Sequence, residues 1–278
     1  MTTKQDKHKK AIQEVIISLM EKVLNRVLYE DPFKVDIHRA KKPMYAALVP
    51  DEIFKGSHFE RRFSTPFGKV WETLAAVAAK IGRGHAESDY MITGKVKEER
   101  LRRITETLNR LEHGKHKNKR IRPNWDAEIR YILEGGGKDI PVSVIADIYT
   151  IDKNSHERLA IEIKAPLPNS DQTKVSKEKI LKLYSMEPMQ VDDAIFALPY
   201  NPFGERADYN WSFPGRWFNM QKDNVVLIGD EFWDKIGGTG TYQLFIDAVN
   251  EIGVQFRERI YREYLGISPP EGYDEIRL

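Results

Sequence analysis

The sequence predicts an α/β fold in which a mixed central sheet is flanked by helices, with helical additions at both ends. Three observations carry that prediction. Amphipathic stretches with apolar residues at helical spacing occupy residues 9–30 and 242–265. Short runs rich in Ile, Val and Tyr, divided by the turn-forming strings GGGKD and DKNSHE, fill the middle of the chain. Two brief apolar runs, AIFAL at 194–198 and VVLI at 225–228, have the texture of strands buried inside a sheet.

Taken in order, the first element is a helix. Ile12, Val15, Ile16, Leu19, Val23 and Val27 recur at helical spacing with Lys, Gln and Glu between them, and Asp31-Pro32 stops the pattern. Residues 66–80 predict a second helix, with Pro66 near its start and Gly82 beyond its end. A third, polar and basic, covers 96–112 and ends at Gly114. Strands follow over 129–133, 140–151 and 159–164, then a helix over 175–184, then the two apolar strands. Between those two strands lies a loop of about twenty-five residues, PYNPFGERADYNWSFPGRWFNMQKD, which is long for a compact domain unless it has a function. The last helix carries Leu244, Phe245, Ala248, Ile252, Phe256 and Ile260 on one face and is closed by Gly266 and Pro269-Pro270. With no internal repeat and no Pro/Gly/Ser linker, a single domain over 1–278 is expected: a mainly helical part at 1–120, a sheet core with its long loop at 121–240, and a helix and tail at 241–278.

Composition narrows the function classes. With 278 residues, 41% hydrophobic and 31% charged, the chain can bury one sizeable core without a disulfide or structural metal. It has no cysteine, which excludes a thiol nucleophile, an iron–sulfur cluster and a cysteine zinc site. No run reaches the roughly 18 apolar residues of a membrane span, and the amphipathic N-terminal stretch does not have the pattern of a signal peptide, so a soluble intracellular protein is expected. His85, His113 and His116 lack the spacing of a zinc site. Gly237-Gly238 is accompanied by neither a Walker lysine nor GxGxxG, so nucleotide hydrolysis is not indicated.

The net charge of +2 announces no polyanion partner, but the local balance differs. Between Lys95 and Arg122, eleven Lys and Arg face four Glu. Such an excess is either a solvated helix and loop or the footprint of a phosphate-binding arm.

The densest chemical signal is VIADIYTIDKNSHERLAIEIKAP, residues 144–166. In a strand, residues i and i+2 share a face, so Glu162 and Lys164 project together and Ile163 turns to the core. The turn between the strands brings Asp147 beside them. Two carboxylates, the main-chain carbonyl of Ile163 and a phosphate oxygen would suit Mg2+, a hard ion that keeps several waters. Lys164 would orient the attacking water. Taken alone, a Glu-x-Lys at a strand end is usually a surface ion pair. What distinguishes this one is the Asp on the preceding strand, the apolar flanks and the helix that follows at once.

The pattern resembles the PD-(D/E)xK nuclease superfamily, with Ala146 standing where the Pro of that name would be. The segment APLPNSDQTK after Lys164, with SKEKILKLYSM, LPYNPFGERADYNWSFPGRWF and VVLIGDEFWDKIGG beyond it, is similar to type II restriction endonucleases of the TdeIII/MjaII kind. The resemblance spans about His58 to Leu265 and is strongest from Asp147 to Gly238. It implies a restriction-endonuclease-like core and a homodimeric, Mg2+-dependent enzyme cutting double-stranded DNA at a short palindrome of the GGNCC type. It further implies a place in a restriction-modification system of the prokaryotic cytoplasm. Asp147, Glu162 and Lys164 would be catalytic, and Asp147, Glu162 and the Ile163 carbonyl would hold the metal, with Glu72 an additional candidate on the preceding helix.

In that context Lys117, Lys119 and Arg120 become candidates to grip phosphate. The long loop offers Arg206, Asn210, Trp211 and Arg216, and an Arg bidentate to guanine is the commonest specific major-groove contact. Asp171, Gln172 and Lys174, just past the catalytic lysine, are further DNA-binding candidates. Two other functions fit the same residues: a repair or junction nuclease, which would not need the long loop, and a catalytically inactive DNA-binding module, which would not need an intact triad.

Overall fold

A computed structural model of the chain describes residues 4–116, 118–270 and 272. Where the sequence suggests one domain, the described residues gather into two compact units, one made of those up to Val70 and from Gln243 onward, the other of those from Trp71 to Tyr242.

The first unit is helical. It holds α1 (Lys4–Asn25) with a wider turn at Arg26–Glu30, α2 (Val35–Lys41), α3 (Pro43–Leu48) and the first half of α4 (Asp51–Arg83). The C-terminal helix, Thr241–Arg259, and its closing turn Ile260–Leu265 complete it. Met20, Leu24 and Val27 pack with Ile252, Phe256 and Tyr264, so the apolar faces of the first and last helices cover each other. Polar bonds reinforce the pairing: Arg259 donates to Glu21 at 2.6 Å and Gln13 to Glu251 at 2.8 Å. The helix expected to start at Pro66 begins instead at Asp51 and carries Pro66 inside it. Asp51 and Glu52 favour the start through the helix dipole, and the Thr65 hydroxyl bonds the Arg61 carbonyl at 2.6 Å one turn before the proline.

The second unit is built on a five-stranded mixed sheet, with helices α5 (Glu98–His113) and α7 (Ser170–Tyr184) packed on it and α6 (Trp125–Leu133) packed on α5. In spatial order its strands are β1 (Gly84–Lys97), β4 (Asp139–Asp152), β5 (Arg158–Ile163), β6 (Asp193–Leu198) and β7 (Val226–Ile228); the short β2 (Lys115–His116) and β3 (Lys119–Arg120) form a separate hairpin. The pairs β1–β4 and β4–β5 are antiparallel, while β5, β6 and β7 are parallel, with α7 as the crossover from β5 to β6. The apolar runs predicted as buried strands are such strands: Ala194 to Leu198 are at most 1% exposed. A short helix, α8 (Asp230–Gly237), follows β7. A Cβ at Gly82 would stand 2.2 Å from the Ile236 carbonyl oxygen, so glycine there permits the end of α4 to approach α8 closely.

Two local expectations are corrected. Residues 129–133, read as a strand, end α6. Asn124 caps that helix by accepting from Ala127 N at 3.1 Å, while Glu128 reaches back to Asn124 N at 3.0 Å, and this reciprocal cap outweighs the strand texture of Ile and Tyr. The long edge strand β1 replaces what sequence left unassigned at 84–95. Its residues are mostly exposed, as an edge allows, and a thirteen-pair ladder to β4 holds it.

Candidate active site

The ladder between β4 and β5 runs to Ile148↔Ile161, and there the strands part. β5 continues beside β6 to Ile163↔Ala197, and Lys164 N donates to Ala197 O at 3.0 Å. Asp147 stands in the resulting fork. Its Oδ2 accepts from Ile163 N at 2.9 Å and from Lys164 Nζ at 2.8 Å. On the other side, β1 pairs Ser88 with Ile148 and Tyr90 with Ala146, and between them Asp89 takes a left-handed φ of 53° opposite Asp147. Backbone of that kind is costly for a residue with a side chain and concentrates at functional sites.

The ammonium of Lys164 touches three oxygens at once: Asp147 Oδ2 at 2.8 Å, Glu162 Oε1 at 2.8 Å and the Ile163 carbonyl at 2.9 Å. The residues that sequence proposed for catalysis therefore meet in one place. Burial pushes the Lys164 amine down, but Glu162 and Asp147 more than offset it and leave it raised above the ordinary lysine value. The oxygens gathered around this ammonium are all hard donors, which is the chemistry a small divalent cation requires. Among the described residues no set of three acidic or histidine side chains converges, so Glu72 does not join Asp147 and Glu162. A cation held here would thus keep positions for water and phosphate.

One member of the site escaped the sequence reading. Lys179, on α7, places its ammonium 3.0 and 2.8 Å from the two oxygens of Glu162 and 3.9 Å from Asp147 Oδ1. Ser176, one turn earlier on the same face, donates to the Gln172 carbonyl at 3.0 Å and stands 3.4 Å from Glu162 Oε1. Glu162 is 4% exposed, and two ammoniums on two carboxylates leave the cluster formally neutral. The available signal was spacing: Ser176 and Lys179 lie three apart on the helix that follows the Glu-x-Lys strand.

The same helix carries Lys177, wholly buried, whose ammonium bonds Glu128 at 2.5 Å, reaches the Trp217 carbonyl and lies 4.9 Å from the Phe218 ring centre. Burial lowers its pKa, with Glu128 opposing. Lys177 thereby fastens α7 to α6 and to the long loop.

The DNA-binding candidates divide sharply. Lys119 and Arg120 form one strand of an exposed hairpin with Lys115 and His116, turned at Asn118 with φ 62°; Lys117 lies outside the described residues. Asp171 and Gln172 are exposed in the first turn of α7. Lys174 is engaged internally, paired with Glu112 and 5.7 Å from the Trp217 ring centre. Arg206 is corrected outright. Its guanidinium bonds Met220 O at 3.0 Å, Asp223 O at 2.7 Å and Glu231 at 2.9 Å, so it clamps the loop and has no fork left for a base. Arg216 is half-buried and senses Glu112 only at a distance. Asn210 is exposed, and Trp211 donates to the Pro168 carbonyl at 3.0 Å.

A family model described as type II restriction endonuclease, HinfI, matches residues 8–253. Among curated relatives, the type II restriction enzymes HgiBI and HgiEI of Herpetosiphon aurantiacus are each 28% identical over 228 residues, covering 81% of this chain and 81% of theirs. The type II restriction enzyme HgiCII of the same organism is 27% identical over 227 residues, 81% of this chain and 82% of its own.

Proposed function

Since the chain belongs to the HinfI family of type II restriction endonucleases and is a site-specific deoxyribonuclease, we propose that it hydrolyses double-stranded DNA with Mg2+ at Asp147, Glu162 and Lys164. The observation that carries this reading is the meeting of Asp147 Oδ2, Glu162 Oε1 and the Ile163 carbonyl on one ammonium in the fork between β4 and β5. That meeting supports the reading of a PD-(D/E)xK core. Asp147, Glu162 and the Ile163 carbonyl would hold the ion, which when bound supplies a Lewis acid for the scissile phosphate and acidifies water. Lys164 orients the attacking water and keeps positive charge beside the phosphate. Lys179 holds Glu162 in place from α7.

The substrate we infer is a short palindrome, of the GGNCC type suggested by the resemblance, read by a homodimer in which each copy cuts one strand. The exposed hairpin at Lys115–His116 and Lys119–Arg120 would lie along phosphate, and Arg216 and Asn210 are the loop side chains left to read bases. Such an enzyme would work in a restriction-modification system of the prokaryotic cytoplasm. The described helices include none long and apolar enough to cross a membrane. Family membership weighs against the junction-nuclease and inactive-module readings. Incubation of the purified protein with phage DNA and Mg2+ tests the proposal. Discrete fragments are expected, a smear points to a nuclease without site preference, and intact DNA overturns the catalytic reading.

A further inference from the structure

The long loop borders an open recess of about 310 Å³, lined by residues 209–212, 215 and 218–221 and by Arg122 and Pro123. It is joined to the catalytic segment by two hydrogen bonds. Tyr209 donates to the Pro166 carbonyl at 2.8 Å and Trp211 to the Pro168 carbonyl at 3.0 Å, two and four residues beyond Lys164. The volume lies at the small end of the roughly 300–1,000 Å³ of small-molecule sites, enough for one planar heterocycle.

The lining is that of a site for a base. Trp211 offers an aromatic wall, and the buried Phe218 contributes to the floor. Asn210 and Asn219 carry side-chain amides with no hydrogen-bond partner among the described residues. Each can donate and accept side by side, the capability that matches a base edge. Gln221 spends its amide nitrogen on the Ala207 and Tyr209 carbonyls at 2.9 and 3.3 Å, which leaves its own oxygen to accept. Arg122, exposed and without an ion pair among the described residues, borders the cavity two residues beyond the basic hairpin, suited to a phosphate.

A side chain that reads a stacked base protrudes into a groove, whereas these groups surround a recess. We propose that the cavity receives a single nucleobase extruded from the duplex at the recognition site, stacked on Trp211 and read by Asn210 and Asn219, with Arg122 on the flanking phosphate. This inference rests on the DNA-cleaving function proposed above. It adds a contact class that no groove-reading arginine supplies: a base taken out of the stack must first be unpaired, and unpairing is least costly where the pair is already mismatched.

That cost gives the test. The recognition sequence is first read from the ends of fragments cut from phage DNA. Oligonucleotide duplexes carrying that sequence, each with one mismatched pair, are then titrated with the full-length protein by fluorescence anisotropy without divalent ion. One position, or one symmetric pair, is expected to bind about tenfold tighter when mismatched, and every other mismatch within the site to bind weaker. Trp211→Ala and Asn219→Ala should abolish the tightening, while Trp211→Phe, which keeps a ring for stacking, should retain it and controls for folding. Discrete fragments combined with weakening at every mismatch overturn the cavity assignment alone. Tightening that survives in Trp211→Ala and Asn219→Ala overturns it as well. Absence of discrete fragments overturns the nuclease reading and this inference with it.

Discussion

The ammonium of Lys179, on α7, bridges both carboxylate oxygens of Glu162, at 3.0 and 2.8 Å. A lysine held against a metal-ligand candidate competes with the ion for it and also fixes its orientation. Lys179→Met should therefore lower the Mg2+ concentration needed for half-maximal cleavage several-fold, because the carboxylate is released. It should also slow the step at saturating Mg2+, because Glu162 is less well held and positive charge near the phosphate is lost. Calorimetric titration of Mg2+ into the DNA-free variant reads the first effect without cleavage; an unchanged affinity there would show that Lys179 does not compete.

Asp147→Ala or Glu162→Ala should abolish cleavage while leaving site-specific DNA binding measurable, since each removes an oxygen donor and neither lies in the loop. Lys164→Ala should slow cleavage by orders of magnitude. Arginine should not restore it, because a planar guanidinium cannot take the place of a compact ammonium in contact with three oxygens. A variant of either carboxylate with wild-type turnover would remove that residue from the assignment.

The raised pKa of Lys164 fixes the sign of a pH effect. A lysine whose folded value lies above its unfolded value contributes stability that is fully present below about pH 10.4 and lost as pH rises through the folded value. In EDTA, the difference in urea midpoint between the wild type and Lys164→Met should accordingly be flat from pH 6 to 9 and shrink only in stronger alkali. A difference that already shrinks near neutrality would mean that the lysine sheds its proton there.

How much of this was legible in advance depended on whether the signal was local. Glu162, Lys164 and Asp147 were readable because strand alternation places i and i+2 on one face, and a turn of known length fixes which residues of the next strand stand opposite. Lys179 and Lys177 were not. In the stretch SKEKILKLY, lysines read as a solvated face, and only the packing of that helix on Glu162 and Glu128 gives them partners. Arg206 failed for the opposite reason. An arginine in a long aromatic loop has the composition of a base reader, but its neighbours in space, Glu231 and two carbonyls, are fourteen to twenty-five residues away in sequence. The apolar faces of the first and last helices were legible from their spacing, but that they cover each other within one unit was not, because spacing names no partner. Edge strand β1 carried too little apolar alternation to announce itself; its partner strand defines it.

The buried pair Lys177 and Glu128 should behave as a unit. Both are at most 1% exposed, and breaking such a pair leaves a lone charge in the core, a loss of about 3–5 kcal/mol. Lys177→Met should lower the urea midpoint strongly, and combining it with Glu128→Gln should recover much of the loss, because no uncompensated charge remains. Non-recovery in the double variant would mean that the Lys177 bond to the Trp217 carbonyl, which holds the loop, dominates instead.

If the protein reads a palindrome with two copies, the chain of 32.3 kDa should scatter light as a dimer, in solution or at least on DNA. Since the first and last helices cover each other's apolar faces, substitutions on the outer surface of this unit are the ones to test, and Met20→Asp in its core should unfold it rather than separate two copies. A monomer both free and DNA-bound would leave each strand to be cut in a separate encounter.

Affinity and specificity should separate by location. Neutralising Lys119 and Arg120 together, on the exposed hairpin, should weaken binding to every DNA and flatten its salt dependence, because phosphate contacts act through counterion release and read no sequence. Arg216→Ala should cost roughly 1–3 kcal/mol on the cognate site and little on random DNA if its guanidinium takes a guanine edge. Arg206→Ala should behave unlike either. It removes four hydrogen bonds that close the loop onto Met220, Asp223 and Glu231, so it should lower thermal stability and increase protease cutting within 199–225 before any DNA is added. Competition binding between cognate and random duplexes, run beside limited proteolysis of the free protein, distinguishes the three. If Arg206→Ala leaves the loop as resistant as the wild type and loses only cognate DNA, its internal bonds open on binding and it reads bases after all.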